Sequence, residues 1–453
     1  MNQTCDLTRG PVMKGMAVFA LPCILTNVLQ NLYNLADAVV VGQMIDTTTL
    51  TAVGAAGSLV ALFTNSISGL MSGFAVVAGN RYGAKDEAGL SQVIANTLLL
   101  SVMVSAVLSV LGAVCSGGML RLLQTPAELM PQATRYLMVI MLGFSTTVFY
   151  NFYCEMLRAV GNSRTPMLFL LLVSVLHILL AVLLQAKWNL GVLGAALATV
   201  ISQAVAVALC VGYARRKVPC FRIRRTDWRL DGAMLKECLH IGVPTMMTNF
   251  IISFGTIILQ FVTNGIGTEY VTAYTCASRI GYILTTPITG YAVALAVFVA
   301  QNCGAGNLPR IRSGIRKTGI LLLLCNIVLW AISQFAARPL LALMITDNAQ
   351  AVEAGVMYLR VRSLAMFILP VGCCCKSVLN ALGKPLFPTL SGILEIAVRY
   401  AAPLVLVAHG AGFLSVPLTD AVAWTAIAVF LALAYLIEMR KIERTDFHEK
   451  QHV

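Results

Sequence analysis

The chain has 453 residues, of which 58% are apolar and 11% charged, where a soluble domain shows about 45 to 50% apolar and about 25% charged residues. That composition excludes a soluble protein. The formal net charge of +13, from 32 Lys and Arg against 19 Asp and Glu, would suggest a nucleic-acid partner in a soluble chain, but in a membrane chain basic residues also mark cytoplasmic loops.

A membrane span needs about 20 apolar residues, and charged or turn-rich breaks divide the sequence into twelve such stretches. The first, 15–42, follows a polar tail and exceeds the apolar region of a secretory signal, about 7 to 15 residues. It is expected to remain as a span. It carries Pro22 and, roughly 22 Å further along a helix, the carboxylate of Asp37. Spans two to six are expected at 51–79, 92–116, 136–157, 166–186 and 190–213. Glu155 falls near the end of the fourth and His177 within the fifth.

The basic stretch ARRKVPCFRIRRTDWRLDG then reads as a cytoplasmic linker, 215–236, between an N-lobe, 1–214, and a C-lobe, 237–453. Its Lys and Arg are suited to anionic lipid, although topology alone explains them. The remaining spans are expected at 240–262, 272–300, 318–337, 357–380, 387–408 and 413–437. Arg279 lies near the start of the eighth, Glu395 and Arg399 in the eleventh, and Asp420 early in the twelfth. Pro22, Pro244, Pro287, Pro370 and Pro403 are tolerable here because neighbouring helices and water satisfy the freed backbone groups.

An even number of spans puts both termini on one side. That side collects 24 Lys and Arg, including Lys376 and Lys384, against six opposite: Arg121, Arg135, Lys187, Arg338, Arg360 and Arg362. The excess places both termini in the cytoplasm. Thirteen cysteines are scattered through apolar runs with no CxxC pair, so they read as packing thiols and no metal is expected.

Shifting the sequence against itself by 222 residues superposes Pro22, Thr26, Asn27 and Tyr136 on Pro244, Thr248, Asn249 and Tyr358. It also brings Leu157, Ala159, Gly161 and Pro166 onto Leu379, Ala381, Gly383 and Pro388, and His177 onto Arg399. Each half therefore carries six helices in one orientation. The predicted fold is an all-α integral membrane protein of twelve helices in two six-helix lobes, related by a pseudo-two-fold along the membrane normal.

Several stretches together resemble the multidrug and toxic compound extrusion (MATE) family. They are RGPVMKGMAVFALPCILTNVLQNLYNLADAVVVG, SGFAVVAGNRYGAKD, LRAVGNSRTP and GVLGAALATVISQ, with FVAQNCGAGN and LNALGKPLFPTLSGILEIAVRY repeating the pattern in the second half. The resemblance implies a secondary active antiporter of the plasma membrane. It would export small organic, often cationic, or other amphiphilic compounds in exchange for sodium ions or protons, as a monomer and without a cofactor. It also carries over an N-lobe cavity formed by Gln30 and Asp37 on the first helix, Tyr136 and Asn151 on the fourth, and Thr199 on the sixth. The fifth helix departs from the pattern: relatives with Asn and, four residues on, Asp are matched here by His177 and Ala181.

Ionisable residues inside spans suggest function. Desolvation of Asp37 would let it take up a proton or sodium ion, and the alternative is an inert position at the outer interface. His177 either handles protons or is a neutral hydrogen-bonding residue. Glu395 and Arg399 lie four apart on one helix face, as a structural pair or as a gating or substrate element. Arg279, Glu155 and Asp420 read as helix-end or lobe-contact residues.

An alternative function is a flippase for a lipid-linked or amphiphilic substrate, whose cavity would need several cationic side chains; Arg279 and Arg399 are the main ones available. An integral-membrane enzyme is not expected, since neither HExxH nor a DxxxD metal-diphosphate motif is found.

Overall fold

The computed structural model describes residues 5–44, 47–223, 225–264, 268–345 and 348–451, and their side chains except at 34–51, 224–226, 256–262, 264–269, 346–347 and 443–451. Helices account for all the regular structure among these residues. In the first half of the chain they are α1 (Val12–Met44), α2 (Thr47–Gly83), α3 (Glu87–Leu122), α4 (Met130–Leu142), α5 (Phe144–Ala159), α6 (Arg164–Trp188) and α7 (Val192–Lys217). The second half holds α8 (Gly232–Asn264), α9 (Thr268–Gly304), α10 (Leu308–Phe335), the short α11 (Ala337–Ala342), α12 (Ala349–Ala365), α13 (Leu369–Ala381), α14 (Leu386–Ala408) and α15 (Ser415–Gln451). Two short 3-10 turns, Pro219–Phe221 and Arg225–Trp228, lie in the basic stretch between α7 and α8.

Ten described helices are long and apolar enough to cross a bilayer, and two bent pairs raise the number of spans to as many as twelve. The bent pairs are α4 with α5, at 49°, and α12 with α13, at 52°. The sequence suggested unbroken spans at both places. At the first break, Gly143 packs so tightly under Val200 of α7 that a Cβ would overlap that side chain. At the second, Pro370 stands in the first turn of α13, where its missing N–H leaves no helix bond unmade within α13 but offers none back to α12. Gly143 and Ala365, which stand at the two breaks, are superposed by the same shift that superposes the two halves. Pro22, Pro244, Pro287 and Pro403, by contrast, lie inside continuous helices.

The amphipathicity of the long helices is inverted relative to a soluble protein. On α3 the buried face holds Thr97, Ser101, Ser105, Gly112 and Ser116, while Val107, Val110, Leu111 and Val114 are more than half exposed. On α10, Gly314, Thr318, Asn326 and Ser333 are buried, and Leu323, Leu324 and Val328 face outward. Small residues let helix backbones approach, and lipid accepts the large apolar ones. The repeat reaches the helix caps too. Asp86 accepts the Gly89 N–H at the start of α3 at 2.8 Å, and Asn307, which caps the corresponding helix of the second half, accepts the Arg310 N–H at the start of α10 at 3.2 Å.

The helices form two compact units. The first comprises Met1–Gly10, Ala17–Met246 and Ala300–Gly306, and the second Pro11–Met16, Met247–Val299 and Asn307–Val453. Within the first unit the ends of α2 and α9 cross backbone to backbone. A Cβ on Gly83 would collide with the backbone of Gln301, and one on Gly304 with the backbone of Asn80. Gln301 secures the crossing: its Oε1 accepts from Leu7 N at 3.1 Å and its Nε2 donates to Ala159 O at 2.8 Å, while Asn302 Nδ2 donates to Leu7 O at 3.2 Å.

Candidate functional site

In the first unit, polar side chains of neighbouring helices meet along one face of α7. His177 on α6 is fully buried, and its Nε2 lies 3.2 Å from Thr199 Oγ1 on α7. One turn further along α7, Gln203 Oε1 accepts a 2.6 Å hydrogen bond from Thr147 Oγ1 on α5. One turn along α5, Asn151 Nδ2 donates to the Thr147 carbonyl at 2.9 Å. Residues four apart share a helix face, so Thr199 and Gln203 form a polar strip that α5 and α6 both approach. From α1, the Tyr33 ring packs 4.6 Å from the His177 ring, centroid to centroid.

Asp37 lies one turn beyond Tyr33 within α1, and its side chain is outside the described residues. Tyr136 is buried on α4, whereas Gln30 is exposed on α1. The structure therefore joins His177 to Thr199 and puts Asn151 on the adjoining link through Thr147. Gln203 was not singled out from sequence, although it lies four residues from Thr199 in the same apolar helix. Glu155 pairs with Arg158 at 2.6 Å in a buried part of α5.

The second unit contains a cavity of about 320 Å³ bounded by α8, α9, α12, α13, α14 and α15. Its charged lining is Arg362, Lys376, Glu395, Arg399 and Asp420. Asp420, 4% exposed, is the hub of this group. Its Oδ1 accepts from Arg399 Nη1 at 2.7 Å, and its Oδ2 accepts from both Arg362 Nε and the Tyr358 hydroxyl at 3.2 Å. Arg399 Nε in turn donates to Glu395 Oε1 at 3.0 Å. The fold makes room for the guanidinium groups: a Cβ on Gly281 would strike Arg362, and one on Gly255 would come within 3.0 Å of Arg399 Cδ. Arg362 also lies 4.8 Å from the centre of the Trp424 ring, over its face, an attractive arrangement for a cation.

The Glu395–Arg399 pair expected from the i, i+4 spacing is thus part of a larger network. Arg362 and Lys376, counted as loop charges in assigning topology, line the cavity, and Asp420 is a bridging carboxylate within it and not a helix-end residue. The signal was present, because all three fall inside stretches apolar enough to be spans. Arg279 is exposed on α9 and is absent from the cavity lining. Arg362 and Arg399 are both engaged with carboxylates.

The repeat relates the two polar sites. His177 on the fifth span reaches Thr199 on the sixth, and Arg399, its counterpart in the second half, reaches Asp420 on the last. The profile of the MatE family matches residues 22–183 and 244–403, stretches that begin at Pro22 and Pro244, the two prolines superposed by the repeat. The chain belongs to the MatE family. Relatives in Bacillus subtilis (strain 168) include the probable multidrug resistance protein YoeA, 26% identical over 396 residues and covering 86% of this chain and 85% of its own. The probable multidrug resistance protein YpnP of the same organism is 29% identical over 308 residues, 68% of each chain. The outward-facing structure of a multidrug resistance MATE family transporter of the MOP superfamily has a TM-score of 0.90 at 22% identity, covering 97% of this chain and 99% of its own. That likeness shows a shared fold. As a MatE chain the protein is a membrane transporter of a multidrug efflux family, and not an enzyme.

Proposed function

We propose that this MatE chain is a cation-coupled exporter of drugs or toxic amphiphilic compounds in the plasma membrane, working as a monomer with both termini in the cytoplasm. The observation that carries the reading is the buried His177–Thr199 contact beside α1, the helix that bears Asp37. Asp37 takes up the coupling proton or sodium ion from outside. His177 stands where many relatives have a further polar residue, and it adjusts the hydrogen bonding of the same site. Substrate enters from the cytoplasmic side, and ion binding in the outward-open state favours its release. Coupling follows only because the two states bind ion and substrate with different affinities.

The test is ethidium efflux from cells under imposed proton or sodium gradients, comparing wild type with Asp37→Asn and His177→Ala. Efflux driven by one of the two gradients is expected in the wild type and lost in Asp37→Asn. Unchanged gradient-driven efflux in Asp37→Asn removes that residue from the mechanism.

A further inference from the structure

The cavity of the second unit has a charge imbalance. Three cations, Arg362, Lys376 and Arg399, face two carboxylates, Glu395 and Asp420. Both carboxylates are taken by the arginines, since Arg399 bonds to each and Arg362 shares Asp420. Lys376 is half-buried on α13 and feels the Glu395 carboxylate electrostatically. It nevertheless makes no ion pair or hydrogen bond among the described residues. An ammonium partly withdrawn from water without a direct ion-pair partner is unfavourable, and an anion brought beside it relieves that penalty.

The neighbouring groups favour the same kind of ligand. Tyr274 and Tyr282 from α9 and Trp424 from α15 line the cavity. Their hydroxyls and indole N–H make no hydrogen bond among the described residues, so each is a donor open to a ligand in the cavity. Their rings offer flat apolar walls. The volume of about 320 Å³ falls within the range of roughly 300 to 1,000 Å³ typical of small-molecule sites. An organic cation placed there would meet like charge and compete with arginines for carboxylates already bonded.

We propose that this cavity binds an organic anion, a carboxylate or sulfonate on an aromatic body, with its charged group on Lys376 and its rings between Tyr274, Tyr282 and Trp424. The site lies in a different unit from Asp37 and His177, so its occupancy is measurable without any ion gradient and independently of the coupling reaction.

The experiment compares two probes of the same shape and opposite charge, 2-naphthoate and 2-naphthylmethylammonium. Binding to the full chain in lipid nanodiscs is followed by isothermal titration calorimetry. The wild type is expected to bind naphthoate at least tenfold more tightly than the amine. Lys376→Gln weakens naphthoate tenfold or more without weakening the amine, and Lys376→Arg stays within threefold of wild type. Tighter binding of the amine to the wild type overturns the proposal without recourse to any variant. So does naphthoate affinity unchanged in Lys376→Gln, or the lack of any naphthoate binding at millimolar concentration.

Discussion

Replacing Asp420 by asparagine keeps the volume of the side chain and removes the one charge shared by two buried arginines. In the wild type, Asp420 accepts at 2.7 Å from Arg399 and at 3.2 Å from both Arg362 and Tyr358. Its side chain is 6% exposed, and those of Arg362 and Arg399 are 8% and 7% exposed. Asparagine offers a single acceptor oxygen and turns an NH2 group toward guanidinium donors. Arg399 keeps Glu395, but Arg362 is left with no carboxylate among the described residues. Breaking a buried ion pair from one side costs about 3 to 5 kcal/mol. A body of 150 to 250 residues loses about 2 to 4 °C of melting temperature per kcal/mol, so the midpoint should fall on the order of 10 °C. The assay is thermal unfolding of detergent-purified protein, followed by intrinsic fluorescence and by light scattering. Adding Arg362→Gln removes the stranded cation, and the double variant should lose less melting temperature than the two single variants summed. A fall of less than about 2 °C in Asp420→Asn, or additivity in the double variant, refutes the account of Asp420 as the hub.

At the α2–α9 crossing, Gly83→Ala and Gly304→Ala should each lose about 1 to 3 kcal/mol or more by forcing the backbones apart; Gly118→Ala, which meets nothing within 4 Å, serves as the control in the same melting assay. Thr199→Val should remove the hydroxyl contact with His177, a loss of about 1 kcal/mol, and reduce ethidium efflux while protein in the membrane, measured by immunoblot, stays level. Burial pushes the thiol of Cys220, in the turn between α7 and α8, up to about 12. It therefore stays protonated through pH 9, and peptide mapping should find its iodoacetamide labelling slow until the protein unfolds. Because the folded-state value is raised, its contribution to stability is intact below the unfolded thiol value of 9.0 and declines as pH rises above it.

The spans were legible in the sequence because each is a long apolar run, and the repeat was legible because Pro, Asn and Tyr recur at one offset. The two bends were harder to see. Gly143 breaks its helix where it meets Val200, a contact made only once α7 is folded alongside. Glu395 and Arg399 could be paired from their spacing of four, whereas Arg362 and Asp420 are far apart along the chain and meet only through the packing of α12 against α15. Lys376 and Arg362 were misplaced for a simpler reason: a basic residue near the soft end of an apolar run looks the same whether it points into a loop or into a cavity. His177 was legible as an equivalent of Arg399. Its partner in the fold, Thr199, was carried over by family resemblance and not by any local pattern.

The glycine crossing also bears on how the molecule is made. Residues 300–306 belong to the first unit, and Gln301 holds both Leu7 and Ala159. The first unit therefore remains unfinished while its own half of the chain leaves the ribosome, and it closes only after the end of α9 has been synthesised. Pro11–Met16, made at the outset, belongs to the second unit. Although the sequence repeats itself, each compact unit includes a segment from the other half of the chain. A chain cut in the basic stretch would yield two fragments that each lack a piece of their own packing, and they would have to find one another in the bilayer.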